Sequence, residues 1–294
     1  MSTVAEVRPK ESTIVRFFAA PRPVRAAFAV LERVAPGQGA RWAERVWFTL
    51  PPVNRPTTPA IAPGTPFAVE VNGHRVVGQT WGEGPAVYLM HGWAGTSDQL
   101  TPFVAPLVAR GYRVVAFDAP SHGRSAPGAF GPRSSTIPEF ADALTEVVAA
   151  HGPAHAVVAH SMGCTAAAIA VCDGLRIGRM VFLAPMASPA SYAAQFAGVL
   201  GFGPRILRRL ITRVERRVGA PMRHFDVPEL GRAIAMPKTL LVHDRDDAST
   251  PVSDSDAIAA TWTDSRLHVT TGLGHRRILR DPEVVAEVVD FVAF

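Results

Sequence analysis

Three separated stretches of this 294-residue chain carry side chains able to do nucleophilic chemistry. Ala159-His160-Ser161-Met162-Gly163 sets a serine two residues from a small residue on either side. Gly272-Leu273-Gly274-His275 sets a histidine behind two glycines, and His243-Asp244-Arg245-Asp246-Asp247 offers three carboxylates. A serine hydroxyl is a weak nucleophile until a base takes its proton. Histidine suits that task because its ordinary pKa lies near working pH. A carboxylate on the far ring nitrogen then fixes the tautomer and favours the imidazolium. Ser161 as nucleophile and His275 as base would thus form and break an acyl-enzyme. Asp246 and Asp247 compete for the third role, and spacing alone does not separate them.

Such groups act only if the elements around them bring them together. His155 to His160 reads as a strand and Met162 to Cys172 as a helix, so Ser161 falls on a strand-to-helix turn. That is the context a nucleophile elbow needs. A serine capping an ordinary helix gives a similar string, and the flanking elements and other sites tip the reading toward catalysis. The histidine loop follows an expected last strand, Arg266 to Thr270, and precedes an expected last helix, Asp281 to Val292. The aspartates follow a strand over Lys238 to His243. Further strands are expected at Ala86 to Met90, Tyr112 to Phe117 and Arg179 to Ala184. Phe67 to Val71 and His74 to Trp81 flank Asn72-Gly73, a two-residue hairpin signal. Helices are expected over Asp98 to Arg110 and Ile137 to Ala150. Apolar strands alternating with helices predict an α/β fold with a mainly parallel, doubly wound sheet.

Two regions interrupt that alternation. Residues 1–65 comprise an Arg-rich helical stretch over 11–48 and a proline-rich connector over 51–66. Residues 186–236 hold helical pieces and no strand, and they are expected to emerge at the carboxyl ends of the strands, where ligands bind. They read as a helical cap, with Phe196, Leu200, Phe202 and the Ile206–Val218 helix at the entrance. The catalytic core is then 66–185 together with 237–294.

Composition narrows the partners. Apolar residues make up 48% of the chain, enough for a sizeable core, and the net charge is +5. No nucleic-acid motif accompanies that charge, so no nucleic-acid partner is expected. Ile206, Leu207, Leu210, Ile211, Val214 and Val218 alternate with arginines, an amphipathic basic pattern. A cap helix packing its apolar side on the site is preferred to weak contact with a membrane surface. Cys164 and Cys172 lie eight helical residues apart, about 12 Å, too far for a disulfide. This fits a reducing, cytoplasmic setting, and Met1 to Ser12 lacks the pattern of a secretory signal. Alternation along the strand turns His160 away from Ser161, and His91 reads as a loop histidine bonded to backbone.

Taken together, residues 66–294 resemble the α/β-hydrolase superfamily, in its serine esterase and lipase-like branch. The resemblance rests on His91-Gly92-Trp93, Asp118-Ala119-Pro120-Ser121-His122-Gly123-Arg124-Ser125, the Ser161 turn, His243 through Pro251, and Gly274-His275. The second of these resembles an Asp-x-x-Gly-x-Gly-x-Ser loop, with Ser121 in place of the first glycine. The fourth resembles His-Gly-x-x-Asp-x-x-Val-Pro, with Asp244 for the glycine and Thr250 for the valine. That mapping implies Asp247 as the acid, with Asp246 as the alternative. It also implies an oxyanion hole made by the backbone N–H groups of Trp93 and Met162. A serine at 161 disfavours the branches that attack with aspartate. No metal or organic cofactor is implied.

The expected function is a serine hydrolase that cleaves small-molecule carboxylic esters of short to medium acyl chains through an acyl-enzyme. Thioesters, lactones and acyl transfer use the same machinery, and a fold-retaining binding protein without turnover is the rival of a different class.

Overall fold

The computed structural model describes residues 20–51 and 61–293. The helical reading of 11–19, the reading of Met1 to Ser12, and Pro52, Pro56 and Pro59 of the connector lie outside the described residues. The described chain opens with α1 (Arg22–Val34) and α2 (Pro36–Phe48). β1 (Thr65–Val71) and β2 (His74–Trp81) then pair antiparallel across the Asn72-Gly73 turn. β3 (Ala86–Met90) follows, then a 3-10 turn over Ser97–Phe103 and α3 (Val104–Ala109). The single helix expected over 98–110 is therefore split. Pro102 lies inside the 3-10 turn, and Pro102 and Pro106 have no N–H to give an α-helix.

β4 (Arg113–Phe117), α4 (Ile137–His151), β5 (Ala154–His160), α5 (Met162–Cys172) and β6 (Ile177–Leu183) complete the first half. α6 (Pro189–Leu200), α7 (Pro204–Val218), a 3-10 turn over Met222–Phe225 and α8 (Val227–Ala233) form the insertion. β7 (Lys238–Asp244), α9 (Val252–Ala259), β8 (Ser265–Thr270), the short α10 (Gly274–Arg277) and α11 (Pro282–Ala293) close the described chain. The eight strands form one sheet in the order β1-β2-β4-β3-β5-β6-β7-β8. β2 runs against both its neighbours, and every pairing from β4 through β8 is parallel.

Alternation along the strands builds two cores. Tyr88 and Met90 point into one, with Phe140, Leu144, Val157 and Phe182. Val87 and Leu89 point into the other, with Leu100, Phe103, Val181 and Val288. Both faces of the central strands are covered, so these strands read as continuous apolar runs. The run from Ala156 to Cys172 divides into the end of β5 and α5, and among the described residues no helix is long and apolar enough to cross a membrane. Because β3 to β8 are parallel, the loops after β3, β5, β7 and β8 emerge along one edge of the sheet.

A third core lies over that edge. α7 turns Ile206, Leu210 and Val214 inward, and α2 meets it through buried Ala40 and Ala43. Phe28 of α1 stacks on Trp42 at 4.4 Å and touches Phe202 at 5.3 Å. Helices α1, α2, α6 and α7 thus share one apolar cluster. Leu200 and Phe202, expected at an entrance, pack inside this cluster, because α1 and α2 cover that side of the insertion.

The start of α5 lies tightly against the end of β3 at Gly163, where a Cβ would lie 2.5 Å from the His91 carbonyl oxygen and 3.0 Å from that of Met90. Alanine gains up to about 1 kcal/mol of helix propensity over glycine. Overpacking against backbone costs about 1–3 kcal/mol, which is the larger effect. Gly163→Ala should therefore lower the Tm by several degrees in a circular-dichroism melt; an unchanged or raised Tm would show that the start of α5 and the end of β3 are not packed this closely.

Candidate active site

β5 ends at His160, α5 starts at Met162, and Ser161 alone makes the reversal. Its backbone sits at φ 54° and ψ −123°, a conformation that side-chain-bearing residues rarely adopt. Neighbours hold it there. The Ser161 N–H donates to the Leu183 carbonyl at 3.0 Å, and the Cys164 N–H donates to the Ser161 carbonyl at 3.0 Å. Ala159, standing where a glycine would be roomier, is fully buried in β5.

The other two stretches converge on this turn. His275 Nε2 lies 3.2 Å from Ser161 Oγ, and His275 Nδ1 lies 2.7 Å from Asp247 Oδ2. Ser161, His275 and Asp247 form a continuous hydrogen-bonded chain, although 114 residues separate the first two. The Asp247 side chain is 0% exposed and that of His275 15%. Burial alone would raise the Asp247 pKa. The histidines at 243 and 275 and the Ser249 amide overcome this and hold the carboxyl well below its ordinary value. Oδ1 accepts from the N–H groups of Ser249 at 2.7 Å and Thr250 at 3.1 Å, and Oδ2 also accepts from Thr250 Oγ1 at 2.9 Å.

The competing aspartates bond elsewhere. Asp246 Oδ2 accepts from the Gly272 N–H at 3.1 Å. Asp244 accepts from the Asp246 N–H, the Thr270 hydroxyl and the Leu273 N–H, tying the loop after β7 to the loop after β8. The geometry therefore places Asp247, and not Asp246, against His275.

Three side chains have supporting positions that the sequence left unassigned. His243 donates from Nε2 to the Thr250 carbonyl at 2.9 Å, and its Nδ1 meets Ser255 Oγ at 2.7 Å. Thr250, standing where valine was expected, adds its hydroxyl to the carboxylate. His160 does not reach Ser161, but it donates from Nε2 to the His275 carbonyl at 2.9 Å. Burial, reinforced by the nearby His275, holds the His160 pKa well below its usual value, so this ring is neutral.

The loop after β3 forms the opposite wall. Gly92 approaches so closely that a Cβ there would lie 2.8 Å from that of Ser161. The Ala94 N–H is taken by His122 Nε2 at 3.1 Å. Among the described residues no acceptor takes the N–H of Trp93 or of Met162, at the first turn of α5. Two histidines lock this loop to the one after β4. His91 Nε2 accepts from the Ala119 N–H at 3.0 Å, and Nδ1 of each ring donates to a nearby carbonyl. Burial lowers both pKa values, that of His122 to about 3, so both act as neutral struts. Ser121 adopts φ 65° in the glycine position of its loop, braced by bonds from its Oγ to the Gly131 carbonyl and from the Gly128 N–H.

A cavity of about 510 Å³ opens beside Ser161 and His275. Its wall is largely apolar, with Trp93, Met186, Phe196, Val214 and Phe225 from the core and insertion. Val46, Trp47 and Phe48 of α2 line it as well, which no motif in the sequence pointed to. Among the described residues no group of three or more His, Cys, Asp or Glu side chains is placed to hold a metal ion.

A model of the alpha/beta hydrolase family matches residues 87–288. The non-heme haloperoxidase of Rhodococcus erythropolis is 27% identical over 280 residues, covering 77% of this chain and 99% of that protein. The esterase EaEST from Exiguobacterium antarcticum superposes with a TM-score of 0.59 at 17% identity, over 79% of this chain and 100% of that one. Esterase RhEst1 from Rhodococcus sp. ECU1013 gives 0.58 at 21% identity, over 77% and 97%. These two likenesses are likenesses of fold.

The depressed Asp247 pKa has a consequence for stability. An unfolded chain returns the carboxyl to about 3.9, so the native state binds fewer protons than the unfolded state. The carboxylate then stabilises the fold fully above that value, and the contribution is lost as pH falls from about 4 toward the folded pKa. The stability gap between the protein and Asp247→Asn, read from urea unfolding, should narrow between pH 6 and pH 3.5. A gap that widens in acid would rule out a depressed carboxyl.

Proposed function

The chain belongs to the alpha/beta hydrolase family, and we propose that within it the protein is a serine carboxylesterase acting on short to medium acyl esters. The observation that carries this reading is the unbroken chain from Ser161 Oγ through His275 to buried Asp247, at 3.2 and 2.7 Å. In the proposed reaction Ser161 Oγ adds to the ester carbonyl while His275 Nε2 takes its proton. Asp247 holds Nδ1–H and favours the imidazolium. The N–H groups of Trp93 and Met162 receive the negative charge that develops on the carbonyl oxygen. Collapse expels the alcohol, which leaves with the proton from His275. Water then loses a proton to His275 and attacks the acyl-enzyme, which releases the acid and restores Ser161.

His160, His243 and Thr250 act in this scheme as positioning residues, the first on the His275 backbone and the others on the Asp247 loop. The acyl chain occupies the apolar cavity, with α2 as part of its wall. The unpaired Cys164 and Cys172 support a reducing, cytoplasmic setting. The name of the R. erythropolis relative adds haloperoxidase activity to those worth assaying, beside ester, thioester and lactone panels.

Labelling with a fluorophosphonate should modify Ser161 stoichiometrically, read by mass spectrometry of the peptide. Ser161→Ala should fold normally, resist the label and lose turnover by several orders of magnitude. A variant keeping a tenth of the activity would remove Ser161 from the nucleophile role. Asp247→Asn should lower kcat strongly and Asp246→Asn mildly, and the reverse would move the acid by one residue.

The cavity makes a second expectation. Each methylene buried there is worth about 0.8 kcal/mol, near fourfold in kcat/KM. Rates on p-nitrophenyl esters should rise with acyl length and then fall once the cavity is full. Trp47 packs edge-on against Phe196 at 5.1 Å, so Trp47→Ala should lengthen the cavity. The optimum should move to longer chains; an optimum unmoved by this substitution would place the acyl group away from α2.

A further inference from the structure

The outer face of the helical cover carries charge that the proposed reaction does not use. Helices α1, α2 and α7 hold eleven arginines against three glutamates, a net of +8 on a chain whose total is +5. The excess is focused. α2 and α7 lie side by side, and a surface cleft of about 380 Å³ between them is lined by Arg41 of α2 and by Arg208, Arg209, Arg213 and Arg216 of α7. Gly37 and Ala40, both small, leave room between the two sets of side chains. Positions 208, 212 and 216 form one stripe along α7 and 209 and 213 the next, so successive guanidinium groups crowd one side of the helix.

Little neutralises this crowding. Arg213 pairs with Glu44. Arg209 donates to the Arg205 carbonyl, which carries no net charge. Among the described residues no carboxylate lies in ion-pair range of Arg41, Arg208, Arg209 or Arg216. Like charges this close repel one another, and a polyanion seated among them removes the repulsion while gaining several charge-assisted bonds. Guanidinium forks match the paired oxygens of phosphate, and several forks around one concavity suit a group with more than one negative charge. The inner face of the same helix pair, with Val46, Trp47 and Val214, lines the apolar cavity. The cleft is therefore separate from that cavity by the thickness of one helix layer.

We propose that the cleft between α2 and α7 is an anion site that takes a phosphate-bearing ligand, a phosphomonoester or diphosphate group. It does not depend on the esterase reading, since none of its arginines touches Ser161, His275 or Asp247. The phosphate belongs either to a soluble molecule or to a lipid headgroup. Val30 and Val34, 56% and 74% exposed on α1, give the surface next along the chain an apolar element that a lipid layer would cover.

The test uses the full chain. Inorganic pyrophosphate, titrated at constant ionic strength, should raise the Tm saturably by about 2–4 °C, beyond the response to sodium chloride. The double substitution R208Q/R216Q should weaken the apparent affinity at least tenfold while leaving turnover of a neutral p-nitrophenyl ester unchanged. R41Q, on the facing helix, should weaken it independently. Flotation with vesicles of phosphatidylglycerol in phosphatidylcholine, against phosphatidylcholine alone, separates the sources. Co-flotation lost in R208Q/R216Q assigns the site to a headgroup, and a pyrophosphate response without flotation assigns it to a soluble phosphate ester. The proposal is overturned if neither pyrophosphate nor anionic vesicles bind beyond the chloride control, or if the binding survives both sets of substitutions.

Discussion

Everything at the site is arranged around one strained residue, Ser161, at which the chain passes from β5 into α5 without a connecting loop. Its positive φ costs energy that only surrounding structure can offset. The sheet supplies part of this through the bond from the Ser161 N–H to Leu183 on the neighbouring strand. Close packing supplies the rest, because a side chain at 163 or 92 would strike backbone or Ser161 itself. The strain lifts one hydroxyl out of a covered sheet, at the edge where the other loops emerge.

Those loops are held by buried polar groups that remain in one charge state. His91 and His122 cross-link the loops after β3 and β4, and burial keeps both neutral. Asp247 is the opposite case. It is buried and ionised, and it is tolerable because both its oxygens are fully bonded. The same low-dielectric surroundings thus fix neutral struts on one side and a charged anchor on the other. His160 ties the His275 backbone to β5, so His275 and Ser161 share a common support.

The helical cover serves two surfaces with one pair of helices. Four-residue spacing in α7 puts Ile206, Leu210 and Val214 inward, where they meet α1, α2 and α6, and leaves Arg208, Arg209 and Arg216 outward. Residues 22–48 lie outside the segment matched by the family model, yet α2 forms part of the cavity wall. The shape of the cavity beside Ser161 is therefore set in part by a segment remote from Ser161 in sequence.

Local patterns were enough to read the sheet and the turn. The strands over 86–90 and 155–160 and the helix over 162–172 follow from apolar runs and from the small residues beside Ser161, because such preferences act between near neighbours. The order Ser161, aspartate, His275 was legible for the same reason, each residue standing at the end of a strand. What the sequence left open was set by contacts between distant segments. The choice between Asp246 and Asp247 is a matter of which way two adjacent side chains turn, and the bonds from Ser249, Thr250 and His275 decide it. The single helix read over 98–110 was broken by prolines whose effect depends on where the chain must pack. The place of α1 and α2 over the cavity was invisible because their apolar faces, Phe28, Ala40 and Ala43, record only that something covers them. Which partner does so is determined by the meeting of two helix pairs about 170 residues apart, a long-range fit that no local pattern encodes.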